Sequence, residues 1–121
     1  MKEFSSDICN RFYNIMLKHQ SDDNLSPTYS SNTVVIDGDE GRLYIRLFRD
    51  ELQIAYIVFK NRRVGTATDI VNECINVCRE LNLKRIIIQG VLTEEMELFC
   101  NKMNFTKIED QFGNKDYELV I

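Results

Sequence analysis

The stretch Leu52–Ala67 places the tightest constraint on how this chain can fold. An apolar run rich in β-branched and aromatic residues, Ile54–Phe59, gives way to a basic turn, Lys60–Arg63, and then to Gly65, where a helical pattern begins. The first amides of a helix have no partners within the helix and lie at the positive end of its dipole, so they suit phosphate oxygens. A glycine lets a phosphate approach, because it has no Cβ. The stretch therefore predicts a strand, a short loop and a helix that together form an anion site.

The helix predicted after Gly65 has the clearest periodicity in the chain. Its apolar residues repeat at the three- and four-residue spacing of a helix packed against a sheet: Ala67, Ile70, Val71, Cys74, Ile75, Cys78 and Leu81. The run Arg85–Gln89 shows no alternation, which is typical of a parallel strand covered on both faces. Strand 52–59, helix 66–82 and strand 85–89 thus predict a right-handed βαβ unit.

Further elements are predicted on both sides of this unit. In chain order they are a helix at Ser6–His19 capped by Ser6, a polar loop at Gln20–Asn32, strands at Thr33–Asp37, Arg42–Phe48 and Leu52–Phe59, a helix capped by Thr93, and strands at Phe105–Glu109 and Asp116–Ile121. Short turns make neighbouring strands antiparallel. We therefore predict one α/β (α+β) domain over residues 1–121, with a mixed, mostly antiparallel sheet of about six strands and flanking helices.

Arg62-x-x-Gly65-x-Ala67 matches Arg/Gln-x-x-Gly-x-Gly/Ala, the acyl-CoA signature of the GNAT family (Gcn5-related N-acetyltransferases). The chain resembles that family here, and the resemblance implies a GNAT-like fold. Short glycine patterns also arise in ordinary turns, where the arginines would be solvated charges. The predicted strand before the motif and the helix after it favour a CoA site.

A second segment also resembles the family, on the predicted helix after Thr93 and the strand that follows it. Phe99, Lys102 and Phe105 agree with the family pattern there. The departures are Thr93 in place of asparagine, Cys100 in place of tyrosine and Asn104 in place of glycine. Asparagine tolerates the left-handed conformation that the glycine would adopt. The resemblance covers residues 33–121, and the strand that many members have before the first helix is not predicted in this sequence.

The resemblance implies that acetyl-CoA, as acyl donor, lies where strands 52–59 and 85–89 splay apart. Backbone groups of one strand would pair with the pantetheine arm, and amides from Arg63 to Thr68 would hold the pyrophosphate. The implied cofactor-binding residues are Ile57, Val58, Phe59, Arg62, Arg63, Val64, Gly65, Thr66, Ala67 and Thr68.

Cys100 is the one candidate catalytic residue. It occupies the position where the family has the tyrosine that protonates the departing thiolate. Three roles stay open for it: a packed core residue, a general acid, or a nucleophile. The paired positions Cys74 and Cys78 lie on a buried stripe without other ligands, so we expect no metal site. The single histidine, His19, is expected to be a capping or surface group.

Composition and charge bear on the partners and the location of the protein. A net charge of −4 argues against nucleic acid as a partner, and no apolar run approaches the roughly 18 residues of a membrane span. Four cysteines without close pairing and an N-terminus without the apolar core of a signal peptide predict a cytoplasmic protein with free thiols. We expect a monomer or a homodimer.

Two functions follow from the resemblance. The first is an N-acyltransferase that moves an acetyl group from acetyl-CoA to an amine by direct attack. The second is a catalytically inactive GNAT-fold module that binds CoA or a protein partner. The acceptor of the first function is left open among a protein side chain, a protein N-terminus, a polyamine and an antibiotic amine.

Overall fold

The predicted βαβ unit forms the centre of the sheet. The strands Glu51–Val58 and Arg85–Ile88 are parallel neighbours, and the helix Thr66–Leu81 connects them. Ile86 is fully buried and Ile87 and Ile88 are nearly so, as expected for a strand covered on both faces. The predicted strand–helix–strand order with parallel strands is therefore confirmed; the right-handed connection stays a prediction.

The computed structural model describes residues 2–20, 22, 24–59, 61, 65–91, 93–109 and 113–121. Its elements are α1 (Ser6–His19), β1 (Ser26–Tyr29), β2 (Thr33–Asp37), β3 (Arg42–Phe48), β4 (Glu51–Val58), α2 (Thr66–Leu81), β5 (Arg85–Ile88), α3 (Glu94–Lys102), β6 (Thr106–Glu109) and β7 (Lys115–Val120). The strand order is β1-β2-β3-β4-β5-β7-β6, and β4–β5 is the parallel pair among otherwise antiparallel neighbours. The mixed, mostly antiparallel sheet is confirmed.

The described residues form a sheet of seven strands rather than about six. The additional strand, β1, lies inside the segment predicted as a polar loop and pairs with β2 at the edge of the sheet. Three of its four residues are exposed, and it contains Pro27, which sheets accept mainly at their edges. An edge strand of this kind has no buried face to produce an alternating pattern, so the sequence carried no signal for it.

Helices α1 and α2 pack on each other and on the sheet, and together they cover the core. Phe12 and Met16 of α1 and Ile70 and Cys74 of α2 are fully buried. The N-cap of α1 is Ser5, whose Oγ accepts a hydrogen bond from the Ile8 amide at 3.3 Å, so the prediction of Ser6 as the cap is wrong by one residue. Ser5 has the extended backbone of a cap and Ser6 is already helical.

The C-terminal part of the chain agrees with its sequence pattern. Thr93 caps α3, since its Oγ1 accepts a hydrogen bond from the Met96 amide at 3.2 Å. Asn104 follows the helix with φ +67°, the left-handed conformation expected for an asparagine in place of glycine. Strands β6 and β7 pair antiparallel as predicted. Within the described ranges, no helix has both the length and the apolar character needed to cross a membrane.

A buried carboxylate fixes the turn between β2 and β3. Asp22 is 7% exposed, and its oxygens accept hydrogen bonds from the amides of Asn24 at 3.1 Å and Glu40 at 3.0 Å. These bonds from the backbone hold the pKa of Asp22 below its ordinary value. A Cβ on Gly38 would clash with Asp22 Oδ2 and crowd Leu25. The turn therefore requires both the carboxylate and a glycine beside it.

Gly38→Ala should lower the melting temperature, because the added methyl displaces the carboxylate that holds the turn. We expect a cost of about 1–3 kcal/mol in the free energy of unfolding, as is usual for overpacking. Thermal denaturation of Gly38→Ala, Asp22→Ala and the double variant measures the coupling. An equal effect of Gly38→Ala with and without Asp22 would contradict this explanation.

Candidate functional site

A gap opens where β4 and β5 stop pairing. The two strands pair from Glu51 and Arg85 as far as Ile54 and Ile88, and the Gln89 amide donates to the Ile54 carbonyl at 3.1 Å. β4 then continues to Val58 with β3 on one side, while on its other side no strand pairs with residues 55–58 in the part of the chain that the structure describes. A strand edge of this kind offers backbone donors and acceptors to an extended ligand.

A β-bulge at Ala55 marks the start of the gap. Tyr44 pairs with Tyr56 and Ile45 pairs with Ile54, so Ala55 is an extra residue on β4 without a partner on β3. A bulge bends its strand and increases the local twist. β5 ends at the same level, and the chain turns at Gly90, which has φ +63°. Bulge and turn thus separate the two strands beyond Ile54.

The predicted pantetheine-binding residues lie along this unpaired part of the chain. Ile57 and Phe59 are half-buried and pack against the core, whereas Val58 on the opposite face is 40% exposed. Their role in binding CoA stays a prediction.

The helix α2 follows the unpaired edge of β4 in the chain. Its N-cap is Gly65, with φ +90°, and no side chain of the described residues caps the helix with a hydrogen bond. A Cβ on Gly65 would find its nearest neighbour, His19 Cε1, at 3.8 Å, so glycine is required by the backbone conformation and not by crowding. The backbone groups of Thr66, Ala67 and Thr68 form the first turn, and their amides suit an anion.

Arg62, Arg63 and Val64 of the predicted cofactor-binding set lie outside the described residues. The two ends of their loop are described, and the C-terminal end of α1 holds both of them. The side-chain amide of Gln20 accepts a hydrogen bond from the Asn61 amide at 2.7 Å and donates to the Asn61 carbonyl at 3.0 Å. It also donates to Thr66 Oγ1 at 2.9 Å.

A second contact joins the same two helices. His19 Nε2 lies 2.6 Å from Asp69 Oδ2 in the first turn of α2, and the His19 carbonyl accepts a hydrogen bond from Asn61 Nδ2 at 3.1 Å. His19 therefore connects α1 to α2, which the expectation of a capping or surface group did not include. Gln20, Asn61 and Asp69 were not predicted from the sequence, because single polar residues far apart in the chain form no pattern.

Polar side chains at the base of the gap are engaged with one another. Gln53 and Gln89 both accept hydrogen bonds from the Arg46 guanidinium, at 2.5 and 2.9 Å. Glu51 lies 2.8 Å from Arg85 Nη2 and accepts a hydrogen bond from Gln53 at 2.7 Å. The carboxylate of β4 is thus engaged by an ion pair and a hydrogen bond, at the end of the β4–β5 pairing that is opposite to the gap.

Cys100 is fully buried on α3. Burial, with a smaller contribution from Glu97, raises the pKa of its thiol to about 12. A thiol of that pKa keeps its proton at neutral pH, so it is both a poor acid toward a thiolate and a poor nucleophile. Burial therefore favours the packing role over the two chemical roles.

The other cysteines are also buried and free. Burial raises the pKa of Cys74 well above its ordinary value and that of Cys78 to about 12. Metal binding requires thiolates, which this environment disfavours. Within the described residues, no group of three or more His, Cys, Asp or Glu side chains is placed to hold a metal ion.

The architecture matches that of known proteins although the sequence does not. No family model matches the chain, and a search of the curated proteins finds no match. Among solved structures, the PaiA N-acetyltransferase of Thermoplasma acidophilum, in complex with coenzyme A, superposes with a TM-score of 0.60 at 8% identity. The match covers 74% of this chain and 60% of that one. The chain has the GNAT fold.

Two further structures support this assignment. An acetyltransferase of Bacillus subtilis in complex with CoA matches all of this chain and 95% of its own, with a TM-score of 0.58 at 13% identity. The anti-CRISPR protein AcrVA5 matches 73% of this chain and 98% of its own, with a TM-score of 0.59 at 17% identity. At these identities the comparisons show the fold alone. They confirm the GNAT-like architecture that the two sequence motifs predicted.

All four cysteines of the native protein should react slowly with a thiol reagent at mildly alkaline pH, because each is buried. After unfolding in denaturant, all four should react rapidly. Labelling followed by peptide mass spectrometry identifies each site, and rapid native labelling of Cys100 would contradict the packing role.

Proposed function

We propose that this chain binds acetyl-CoA between β4 and β5 and transfers its acetyl group to an amine. The observation that carries this proposal is the path along the chain from the unpaired edge of residues 55–58 to the first turn of α2, where Gly65 is an N-cap without a side-chain hydrogen bond among the described residues. The edge suits an extended amide-containing arm, and the helix start suits a pyrophosphate. Two structures of the same fold, named above, are complexes with coenzyme A, which supports the choice of ligand.

The residues at the two ends of this path fit the two ends of the ligand. Backbone groups of Ile57, Val58 and Phe59 would pair with the pantetheine arm. Backbone amides of Gly65 to Thr68 would hold the pyrophosphate, with Arg62 and Arg63 adding positive charge. Gly65 contributes by having no side chain above these amides.

Bound acetyl-CoA would supply an activated acetyl thioester. Backbone amides of β4 beyond the bulge would orient the carbonyl group and donate to its oxygen as negative charge develops. The amine nitrogen forms the new C–N bond as the C–S bond breaks, and the electron pair of that bond stays on sulfur. One proton leaves the nitrogen and one is taken up by the sulfur. Because Glu51 is paired with Arg85 and glutamine is no base, we propose that water removes the amine proton.

A second function, binding without catalysis, is favoured by one specific observation. The position at which the family has its acidic tyrosine holds Cys100, a fully buried thiol with a pKa raised to about 12. A module without this acid would still present the path for CoA. In that case the chain would act through binding of CoA or of a protein partner.

Acetyl-CoA should stabilise the protein against thermal unfolding. At about a hundred times its dissociation constant, a ligand of the native state adds roughly 2.7 kcal/mol to the free energy of unfolding. Gly65→Val should abolish this gain, because its side chain would stand over the amides of α2. Gly113→Val is the matched control, since Gly113 also has positive φ, +79°, but lies in the segment before β7.

Both valine variants should lose stability from backbone strain, and only Gly65→Val should also lose the ligand-dependent gain. Isothermal titration with acetyl-CoA, CoA and ATP gives the affinities directly. Equal acetyl-CoA affinity in wild type and Gly65→Val would refute the assignment of this site.

A turnover assay separates the two functions. Released CoA is followed with wild type, Cys100→Ala and Cys100→Tyr over a panel of amines. If Cys100 is a packing residue of an active enzyme, Cys100→Ala keeps its turnover apart from the effect of a small cavity. A loss of about a hundredfold in Cys100→Ala, reversed in Cys100→Tyr, would instead show a general acid. Acetyl-CoA binding by all three proteins without turnover of any amine would favour the binding module.

A further inference from the structure

Gln20 is a buried side chain whose polar atoms are all used by the loop between β4 and α2. It is 3% exposed and follows the last residue of α1. Its Oε1 accepts from the Asn61 amide at 2.7 Å, and its Nε2 donates to the Asn61 carbonyl at 3.0 Å and to Thr66 Oγ1 at 2.9 Å. No other buried amide side chain of the described residues bonds to both ends of one loop.

The two hydrogen bonds from the Gln20 side chain to the Asn61 backbone take the place of those that a neighbouring strand would make. The amide of Gln20 supplies one donor and one acceptor to the same backbone residue, as a neighbouring strand would do in an antiparallel pair. The third bond ties Thr66, the first residue of α2, to the same group. One side chain thus sets the distance between the end of β4 and the start of α2.

This distance determines where the first amides of α2 lie relative to the unpaired edge of β4. A ligand that spans both needs them at a fixed separation, and a protein that holds them in place before binding loses less entropy on binding. The His19–Asp69 contact, at 2.6 Å, holds the first turn of α2 from a neighbouring position.

We propose that Gln20 is a positioning residue for the phosphate end of the acyl-CoA site. It touches no ligand itself and acts through Asn61 and Thr66. The inference rests on the proposed function, and it goes beyond it by assigning the preorganisation of the site to a residue of α1. The competing explanation is that Gln20 only satisfies buried polar groups and stabilises the fold as a whole.

The test compares Gln20→Met with Ile8→Val. Methionine keeps the length of the side chain and removes all three hydrogen bonds. Ile8, 4% exposed on the same helix, loses one methyl group in Ile8→Val, which costs some stability without touching the loop. Affinities are measured for CoA, for adenosine 3′,5′-bisphosphate, which carries the 3′-phosphate and the nucleotide-side phosphate of the pyrophosphate, and for pantetheine, which carries no phosphate. Amide hydrogen exchange of Asn61 is measured without ligand.

Gln20→Met should bind CoA and the bisphosphate about tenfold more weakly or worse, with pantetheine affinity unchanged, because only the phosphate end loses its preorganisation. Its Asn61 amide should exchange faster than in Ile8→Val. Equal CoA affinity and equal Asn61 exchange in the two variants would overturn this proposal alone. Wild-type protein that binds neither CoA nor the bisphosphate would overturn the proposed function and this proposal together.

Discussion

The short pairing between β4 and β5 determines the rest of the architecture. These strands are hydrogen-bonded from Glu51 to Ile54 and then separate at the bulge of Ala55. If the two strands paired further along β4, residues 55–58 would have a partner strand and no unpaired edge would remain. If they paired over fewer residues, the core under α2 would lose its central strand. The buried residues Ile54, Ile86 and Ile88 exclude water from the paired segment, and the bulge at Ala55 ends the pairing.

The parts of the fold that follow local patterns could be predicted from the sequence. The apolar residues of α2 recur at helical spacing, which specifies a helix buried on one face. The unbroken run of isoleucines before Gln89 specifies a strand buried on both faces. The edge strand β1 was missed, since a mostly exposed strand with a proline leaves no such period. The Ala55 bulge was also missed, because one extra residue in an apolar run does not change its composition.

Part of the candidate site could also be predicted from the sequence. The glycine at the start of α2 was visible because only glycine suits φ +90° beside an open helix start. The contacts of Gln20 and His19 were not visible, because they join residues 41 to 50 positions apart. Cys100 shows a conflict between two signals. One of the three roles left open for it, packing in the core, agrees with its burial, whereas the family resemblance assigns chemistry to the same position.

The hydrogen bonds between Gln20 and Asn61 also bear on the order in which the protein assembles. The two residues are 41 positions apart, so closing this contact requires most of the first half of the chain to be organised. Local hairpins such as β2–β3 and β3–β4 close much smaller loops and can form earlier. The meander β2–β4 can therefore form before α1 docks, while the start of α2 reaches its final position only afterwards. We expect the Asn61 amide and the first turn of α2 to be among the last parts of the described chain to gain protection from hydrogen exchange during folding.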